Sequence, residues 1–220
     1  MAGLVYGRVS SELKPLDEVE LPDPRFEYLV MQTQTSSRPF TLEDLHARIG
    51  KTNLHATTPE DVYRQFQVAR NLMLYAWHVF EFQTVAAMQA YATLELALRT
   101  RFPDAVREIK GKDGSIKRKP HTLGPLLEHA VAQGAFFAEK LPAWEWIKAN
   151  HARLEADSAM PTGSLMEPAE WLKYLARSLP SLRNSLAHGK PWLDIFGSLH
   201  SLELCADLIN ALFPADSPTP

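Results

Sequence analysis

The side chains best suited to acid–base and phosphate chemistry lie near the C-terminal end of the chain, in the segment Arg183-Asn184-Ser185-Leu186-Ala187-His188. Histidine transfers protons near neutral pH, and the planar guanidinium of arginine binds two oxygens of a phosphate at once. On a helix, Asn184 and His188 lie one turn apart on the same side, where the amide can orient the imidazole. Arg183 lies about 140° around the helix from His188. Both can therefore reach one ligand only if the helix frays near His188 or if two copies of the segment face each other.

A carboxylate inside an apolar helical pattern marks a second position. Glu95 falls within the bulky apolar arc of its helix, where it needs a partner because burying an unpaired charge is costly. One interpretation is that Glu95 braces Arg183 or Asn184. The other is that Glu95 pairs with Arg99, one turn later on the same helix. Arg99 has the same two options, since it can join the site or simply pair with Glu95.

The chain is strongly basic between residues 107 and 121, a stretch that we expect to form a polar loop. It contains six Lys or Arg side chains against Glu108 and Asp113. Such a concentration of positive charge can hold RNA phosphates, and a solvated loop without a ligand is an equally open interpretation. The candidate RNA-binding residues are Lys110, Lys112, Lys117, Arg118 and Lys119.

Composition limits the classes of protein that the chain can be. With 220 residues, 45% hydrophobic and 22% charged, the chain fits one globular domain with a full core. The formal net charge of -3 provides no overall attraction to nucleic acid or anionic membrane, so any RNA contact must come from a local patch. No signal peptide and no run of about 18 apolar residues is found, so we expect a protein that is neither secreted nor membrane-spanning.

Metal and cofactor chemistry has no signal in the sequence. The single cysteine, Cys205, allows no internal disulfide and disfavours a zinc cluster, and it fits a reducing cytoplasm. The eight histidines show no metal-ligand spacing. A Walker glycine loop, a dinucleotide fingerprint, a Gly-x-Ser-x-Gly elbow and a His-Glu-x-x-His motif are all absent. We therefore expect no metal, no cofactor and a cytoplasmic location.

Helix signals begin at Thr41, which can cap a short helix over residues 42–48 that Gly50 ends. The next start is marked by Thr58 as N-cap and Pro59 at the first helical position. A long amphipathic helix then follows, because apolar residues recur at steps of three and four: Val62, Phe66, Ala69, Met73, Ala76 and Phe80. We expect a kink or turn near residues 77–81 before an apolar central helix over 81–101.

The second half of the chain predicts four more helices, two of them over residues 122–133 and 142–155. Pro168 opens the third, which Pro180 kinks or restarts and which Gly189 and Pro191 end. Ser198 is expected to cap the last, whose apolar face is Leu199, Leu202, Ala206, Ile209 and Phe213. Three tryptophans sit in these helical patterns, so we expect core or interface positions rather than base stacking for Trp144, Trp146 and Trp171.

These elements predict an all-α protein, an antiparallel helical bundle with an irregular N-terminal arm. Residues 1–40 form the arm, because they combine prolines, scattered charges and one short β-like run over 26–32. The arm lies on the helical body or reaches a second subunit. Residues 41–213 form the helical domain, and residues 214–220 form a C-terminal tail.

The end of the helix that carries Arg183 reads Leu-Arg-Asn-x-x-x-His-Gly over residues 182–189. This pattern resembles the motif of the HEPN family, an Arg followed by four to six residues and a His, with a polar residue commonly after the Arg. Two upstream segments are also similar to the family: the apolar helix over residues 90–99, and the basic loop leading to Leu-Gly-Pro-Leu-Leu at 123–127. The resemblance spans residues 59–213.

The resemblance implies a metal-independent endoribonuclease that cleaves RNA by attack of the 2′-hydroxyl and needs no cofactor. HEPN proteins are usually homodimers with paired motifs, and many act in toxin–antitoxin, abortive-infection or other defence systems. The expected partners are RNA, a second copy of the chain and an antitoxin or another defence-system protein. By the same resemblance, His188 performs proton transfer, Arg183 binds the scissile phosphate and Asn184 positions one or both.

The alternative is a non-catalytic helical module that binds RNA, a nucleotide or a protein partner through the same face, since some family members keep the fold without activity. The sequence also departs from the family at one position. HEPN toxins controlled by a nucleotidyltransferase often carry Tyr two residues after the His, and here that residue is Lys190. Regulation by nucleotide transfer to such a Tyr is therefore not expected.

Overall fold

A computed structural model of the protein describes residues 13–32, 36–110, 116–157, 164–188 and 194–215. Within these ranges the protein is all-α, as the sequence predicts, and the only strands form two short antiparallel pairs. None of the helices there combines the length and the apolar character that a membrane span requires. The helices are α1 (Leu42–Gly50), α2 (Glu60–Tyr75), α3 (Phe82–Arg101), α4 (Leu123–Ala132), α5 (Pro142–Asp157), α6 (Pro168–Ala187) and α7 (Ile195–Leu212).

Capping at α1 confirms the prediction from Thr41. The Thr41 hydroxyl accepts a hydrogen bond from the backbone N–H of Asp44, and the Asp44 carboxylate accepts one from the N–H of Thr41. This reciprocal pair satisfies two of the N–H groups that a helix start leaves without intrahelical partners.

Two other predicted caps are wrong. Thr58 lies one residue before the N-cap of α2, which is Pro59, so its hydroxyl is too far back to reach the first turn. Its hydroxyl oxygen is buried and has no hydrogen-bond partner among the residues that the structure describes. The last helix starts earlier than Ser198, because the carboxylate of Asp194 accepts a bond from the N–H of Gly197 at 2.7 Å and Ile195 is buried. Ser198 is a buried residue inside α7.

The core is built around α3, which packs against α2, α7, α4 and α6. The predicted turn separates α2 from α3, since α2 ends at Tyr75 and α3 begins at Phe82. Five of the six residues of the predicted α2 face are fully buried, and Phe80, which lies in the turn, is partly buried. Periodicity therefore identified this face correctly.

Pro180 does not restart α6, which runs without interruption from Pro168 to Ala187. Pro168 opens the helix at its first position, as predicted. A Cβ built on Gly124 of α4 would lie 3.3 Å from Cγ of Pro180, so the glycine lets α4 approach the proline ring closely. The predicted end of the helix at Gly189 and Pro191 lies outside the described residues.

The N-terminal arm, as far as it is described, contacts the helical body through Phe26 and Phe40. Only part of the predicted β-like run is a strand: Pro24–Tyr28 form a 3-10 turn, and strand β1 (Val30–Gln32) pairs with β2 (Ser37–Pro39). Phe26 is 2% exposed, with its ring centroid 4.6 Å from that of Trp77 and 5.5 Å from that of Phe80. Aromatic burial thus holds the arm on the turn between α2 and α3.

The basic stretch forms strands rather than the loop expected from sequence. Strand β3 (Val106–Lys110) pairs antiparallel with β4 (Ile116–Pro120), so that Arg107 faces Lys119 and Glu108 faces Arg118 in the register. Strand pairing is made by backbone groups, so it can form in a highly charged stretch. The loop was predicted from the charged side chains, which do not report on backbone pairing. The pair lies between α3 and α4 in the chain, and both of these helices pack against α6.

Replacing Phe26 with Ala should lower the free energy of unfolding by about 3–5 kcal/mol, because it removes a buried ring and leaves a cavity. Urea denaturation followed by circular dichroism measures this loss. The matched control is Tyr28→Ala in the same turn, since Tyr28 is 75% exposed and its loss should change stability little. If Phe26→Ala lowered the free energy of unfolding as little as Tyr28→Ala, the Phe26 ring would not contribute to the core.

Candidate functional site

The backbone is helical from Arg183 to Ala187, and the helical hydrogen-bond pattern reaches the N–H of His188. α6 ends at Ala187, and His188 is its C-cap, with its backbone N–H donating to the carbonyl oxygen of Asn184 at 3.0 Å. Fraying near His188, one of the two routes by which Arg183 and His188 could reach one ligand, is therefore not observed.

The segment presents its polar side chains to solvent. Asn184 and His188 are exposed and Arg183 is half-buried, whereas Leu186 is 2% exposed and anchors the last turn in the core. All three polar side chains are thus at least partly accessible to solvent, while Leu186 holds the last turn of α6 in place.

Asn184 bonds to Arg183 rather than to the imidazole that the sequence suggested it could orient. Nη1 of Arg183 donates to Oδ1 of Asn184 at 3.2 Å. Within the described ranges, the side chains of Arg183 and Asn184 make no other hydrogen bond. Neither Arg183 nor His188 forms an ion pair there. Asn184 therefore holds the Arg183 guanidinium. Within the described ranges, neither the Arg183 nor the His188 side chain bonds to another helix.

Glu95 and Arg99 form the local pair, the second of the two interpretations open at the sequence level. The carboxylate of Glu95 is ion-paired with Nη2 of Arg99, and the Glu95 side chain is 13% exposed. Nη2 of Arg99 also lies 3.4 Å from the carbonyl oxygen of His121, just ahead of α4. Among the described residues, no hydrogen bond or ion pair joins Glu95 or Arg99 to Arg183 or Asn184. The pair ties α3 to the start of α4.

The basic candidate residues are described by the strand on which each one lies. Lys110 lies at the end of β3, and Lys117, Arg118 and Lys119 lie on β4, paired across the two strands. Lys112 lies outside the described residues. These strands connect the two helices that flank α6, so the positive charge is concentrated in one segment of the fold.

Sequence reasoning missed a cleft between α5 and α7. Its volume is about 410 Å³, and it is also lined by Trp171 and Leu175 of α6 and by the chain after α1 at residues 51–53. The signal was a polar stripe at helical spacing on the otherwise apolar α7. That stripe consists of His200, Glu203, Asp207 and Asn210.

Glu203 is already neutralised by a cation. Arg48 of α1 binds both of its carboxylate oxygens, at 2.7 Å from Nε and 3.1 Å from Nη2. Nη2 of Arg48 also lies 3.3 Å from Nδ1 of His200, whose ring meets that of Trp146 edge-on at 4.6 Å. His200, Glu203 and Trp146 of this network line the cleft.

Asp207 has no such cation within the described part of the chain. Burial raises the pKa of its carboxyl to about 6, the backbone N–H of Ala143 at the start of α5 opposes that rise, and the charge of Glu203 adds to it. A carboxylate in this environment is destabilised unless something positive approaches it. Within the described ranges no three His, Cys, Asp or Glu side chains are grouped so as to hold a metal ion.

Replacing Asp207 with Asn should stabilise the protein at high pH more than at low pH. Below the ordinary pKa of 3.8 the parent carboxyl is protonated in both folded and unfolded states, so its charge costs nothing. As pH rises through about 6, the folded state must carry the charge at a cost on the order of 2 kcal/mol. Unfolding free energies of parent and variant, measured from about pH 4 to about pH 8, test this. The exposed Asp104→Asn is the control, and a difference that does not grow with pH would contradict the assignment.

The chain was compared with models of protein families, with curated proteins and with solved structures, and none of the three comparisons finds a match. What the protein does is therefore inferred from the side chains at the end of α6 and from their surroundings.

Proposed function

We propose that the protein is a metal-independent endoribonuclease of the HEPN type that acts as a homodimer. The observation that carries this proposal is the concentration of Arg183, Asn184 and His188 at the solvent-reachable end of α6. Within the described ranges their side chains make no bond to another helix, so their chemistry is available to a ligand.

The reaction needs groups that this segment supplies. A base takes the proton of the 2′-hydroxyl, the freed oxygen attacks phosphorus, the bond to the 5′-oxygen breaks, and an acid protonates that leaving oxygen. The products are a 2′,3′-cyclic phosphate and a 5′-hydroxyl. His188 is the group suited to move protons near neutral pH, and Arg183 stabilises the extra negative charge on the phosphorane. Asn184, which accepts a hydrogen bond from Arg183, positions the guanidinium.

A dimer follows from the same chemistry. One histidine cannot act as base and acid in the same step, and the helical spacing keeps Arg183 and His188 of one chain apart around the axis of α6. A two-fold axis beside His188 supplies two imidazoles and two guanidiniums to one phosphodiester.

RNA is the substrate, and the basic β3 and β4 segment supplies local attraction that the net charge of -3 does not. We place the enzyme in the cytoplasm, where RNA is present and where the single, fully buried Cys205 stays reduced. Its setting is a toxin, abortive-infection or other defence system, in which a partner protein restrains the nuclease.

Replacing His188 with Ala should reduce cleavage of single-stranded RNA at least 100-fold, because proton transfer is lost. The readout is gel analysis of RNA in excess chelator, with the cyclic phosphate end confirmed by mass spectrometry. Arg183→Ala should reduce cleavage similarly. The matched controls are His46→Ala, exposed on α1, and Arg177→Ala, exposed on α6 itself.

Unchanged cleavage by His188→Ala would overturn the mechanism. If the parent binds RNA without producing fragments, and Arg183→Ala weakens that binding, the protein is instead the non-catalytic RNA-binding module.

Mixing subunits tests whether one site uses both chains. If His188 from each subunit serves the same site, dimers of one parent and one His188→Ala subunit are inactive. Equal mixing then leaves about one quarter of the activity that the same total amount of protein would have if all of it were parent. Independent subunits would retain about half. Parent mixed with His46→Ala is the control and should retain full activity.

A further inference from the structure

The cleft between α5 and α7 has the size and lining of a small-molecule site, separate from the end of α6. Its volume of about 410 Å³ suits a compound of one or two rings. Most of its wall is apolar, from Trp146 and Ile147 of α5, Leu204 of α7, and Trp171 and Leu175 of α6. Polar side chains of α7, among them His200 and Asp207, lie beside these apolar groups. An apolar surface with polar groups at fixed positions is typical of sites that bind a ligand in one orientation.

The charges around the cleft favour a cation. Arg48 satisfies Glu203 through two short bonds, whereas no cation pairs with Asp207 among the described residues. Asp207 is therefore a partly buried carboxylate whose ionised form lacks a counter-charge. An anionic ligand would meet the Asp207 carboxylate, and the positive charge near the cleft among the described residues comes from Lys51 in the lining and from Arg48, which is already paired with Glu203.

Trp146 supplies a surface for the rest of the ligand. Its side chain is 53% exposed, although α5 buries Trp144 two residues earlier. The ring is held edge-on against His200, which fixes its orientation in the wall. An open indole face beside a carboxylate attracts a cation and packs against an apolar body.

We propose that this cleft binds a small organic cation, an amine or amidinium on an aromatic or branched aliphatic body. The cationic group pairs with the Asp207 carboxylate, and the body packs against Trp146, Ile147 and Leu175. The site is independent of the proposed ribonuclease activity, since it uses none of the residues at the end of α6.

The test uses benzamidine as the cationic probe and benzamide as its neutral analogue of nearly the same shape. Isothermal titration calorimetry of the full chain near neutral pH should show that benzamidine binds at least tenfold more tightly than benzamide. Asp207→Asn should abolish this preference by weakening benzamidine binding about tenfold or more, and Asp104→Asn, an exposed control, should leave it unchanged.

Trp146→Ala provides a second variant at an exposed position, where the fold should tolerate the change. It should weaken the binding of both probes severalfold, because both use the indole face.

The pH dependence of binding separates Asp207 from its neighbours. Affinity for benzamidine should fall as pH is lowered through about 6, because protonation of Asp207 removes its charge. His200, Glu203 and Lys51 also face the cleft, and Arg48 lies behind Glu203. The fall should persist in His200→Gln and disappear in Asp207→Asn.

Three results would overturn the proposal: no heat from benzamidine at tens of millimolar, equal affinity for benzamidine and benzamide, or full affinity in a folded Asp207→Asn protein. Circular dichroism establishes that each variant is folded. RNA cleavage by Asp207→Asn should equal that of the parent, so a failure here leaves the ribonuclease proposal untouched.

Discussion

The burial of α3 among α2, α7, α4 and α6 is the interaction on which the rest of the structure depends. Small side chains on α3, among them Ala86, Ala90 and Ala97, are fully buried and let the neighbouring helices approach closely. Within this contact the Tyr91 hydroxyl donates to Oγ of Ser201 at 3.0 Å, which satisfies a buried phenol and links α3 to α7. Once α3 is placed, the positions of α6 and α7 follow, and with them both candidate sites.

α6 contributes to both sites through different parts of its length. Its Trp171 and Leu175 line the cleft, while Arg183 and His188 lie toward its C-terminal end, about 12 Å and about 20 Å from Leu175 along the axis. The two sites differ in chemistry as well. One is a helix end with a guanidinium and an imidazole, and the other is a cleft in which, among the described residues, no cation pairs with the Asp207 carboxylate. Each proposal can therefore stand or fail without the other.

Local patterns predicted the helices well, because the spacing of apolar residues depends only on helix geometry and on which face meets the core. The buried face of α2 and the break before α3 are confirmed by the structure. Predictions that depended on one residue were weaker. Thr58 and Ser198 have good capping chemistry, yet Pro59 and Asp194 occupy the cap positions, because these are the residues whose backbone is still extended just before the helix.

The sequence by itself determined the all-α class, the helical segments and the Arg-x4-His pattern, since these depend on short-range spacing. Only the tertiary structure decided that Glu95 pairs with Arg99, that the arm packs through Phe26, and that α5 and α7 enclose a cleft. These features join residues far apart in the chain, such as Arg48 with Glu203, and no local pattern specifies which distant partner a side chain will meet. Long-range contacts arise from how helices pack, so the environment of Asp207 became visible only when α5 and α7 were in place.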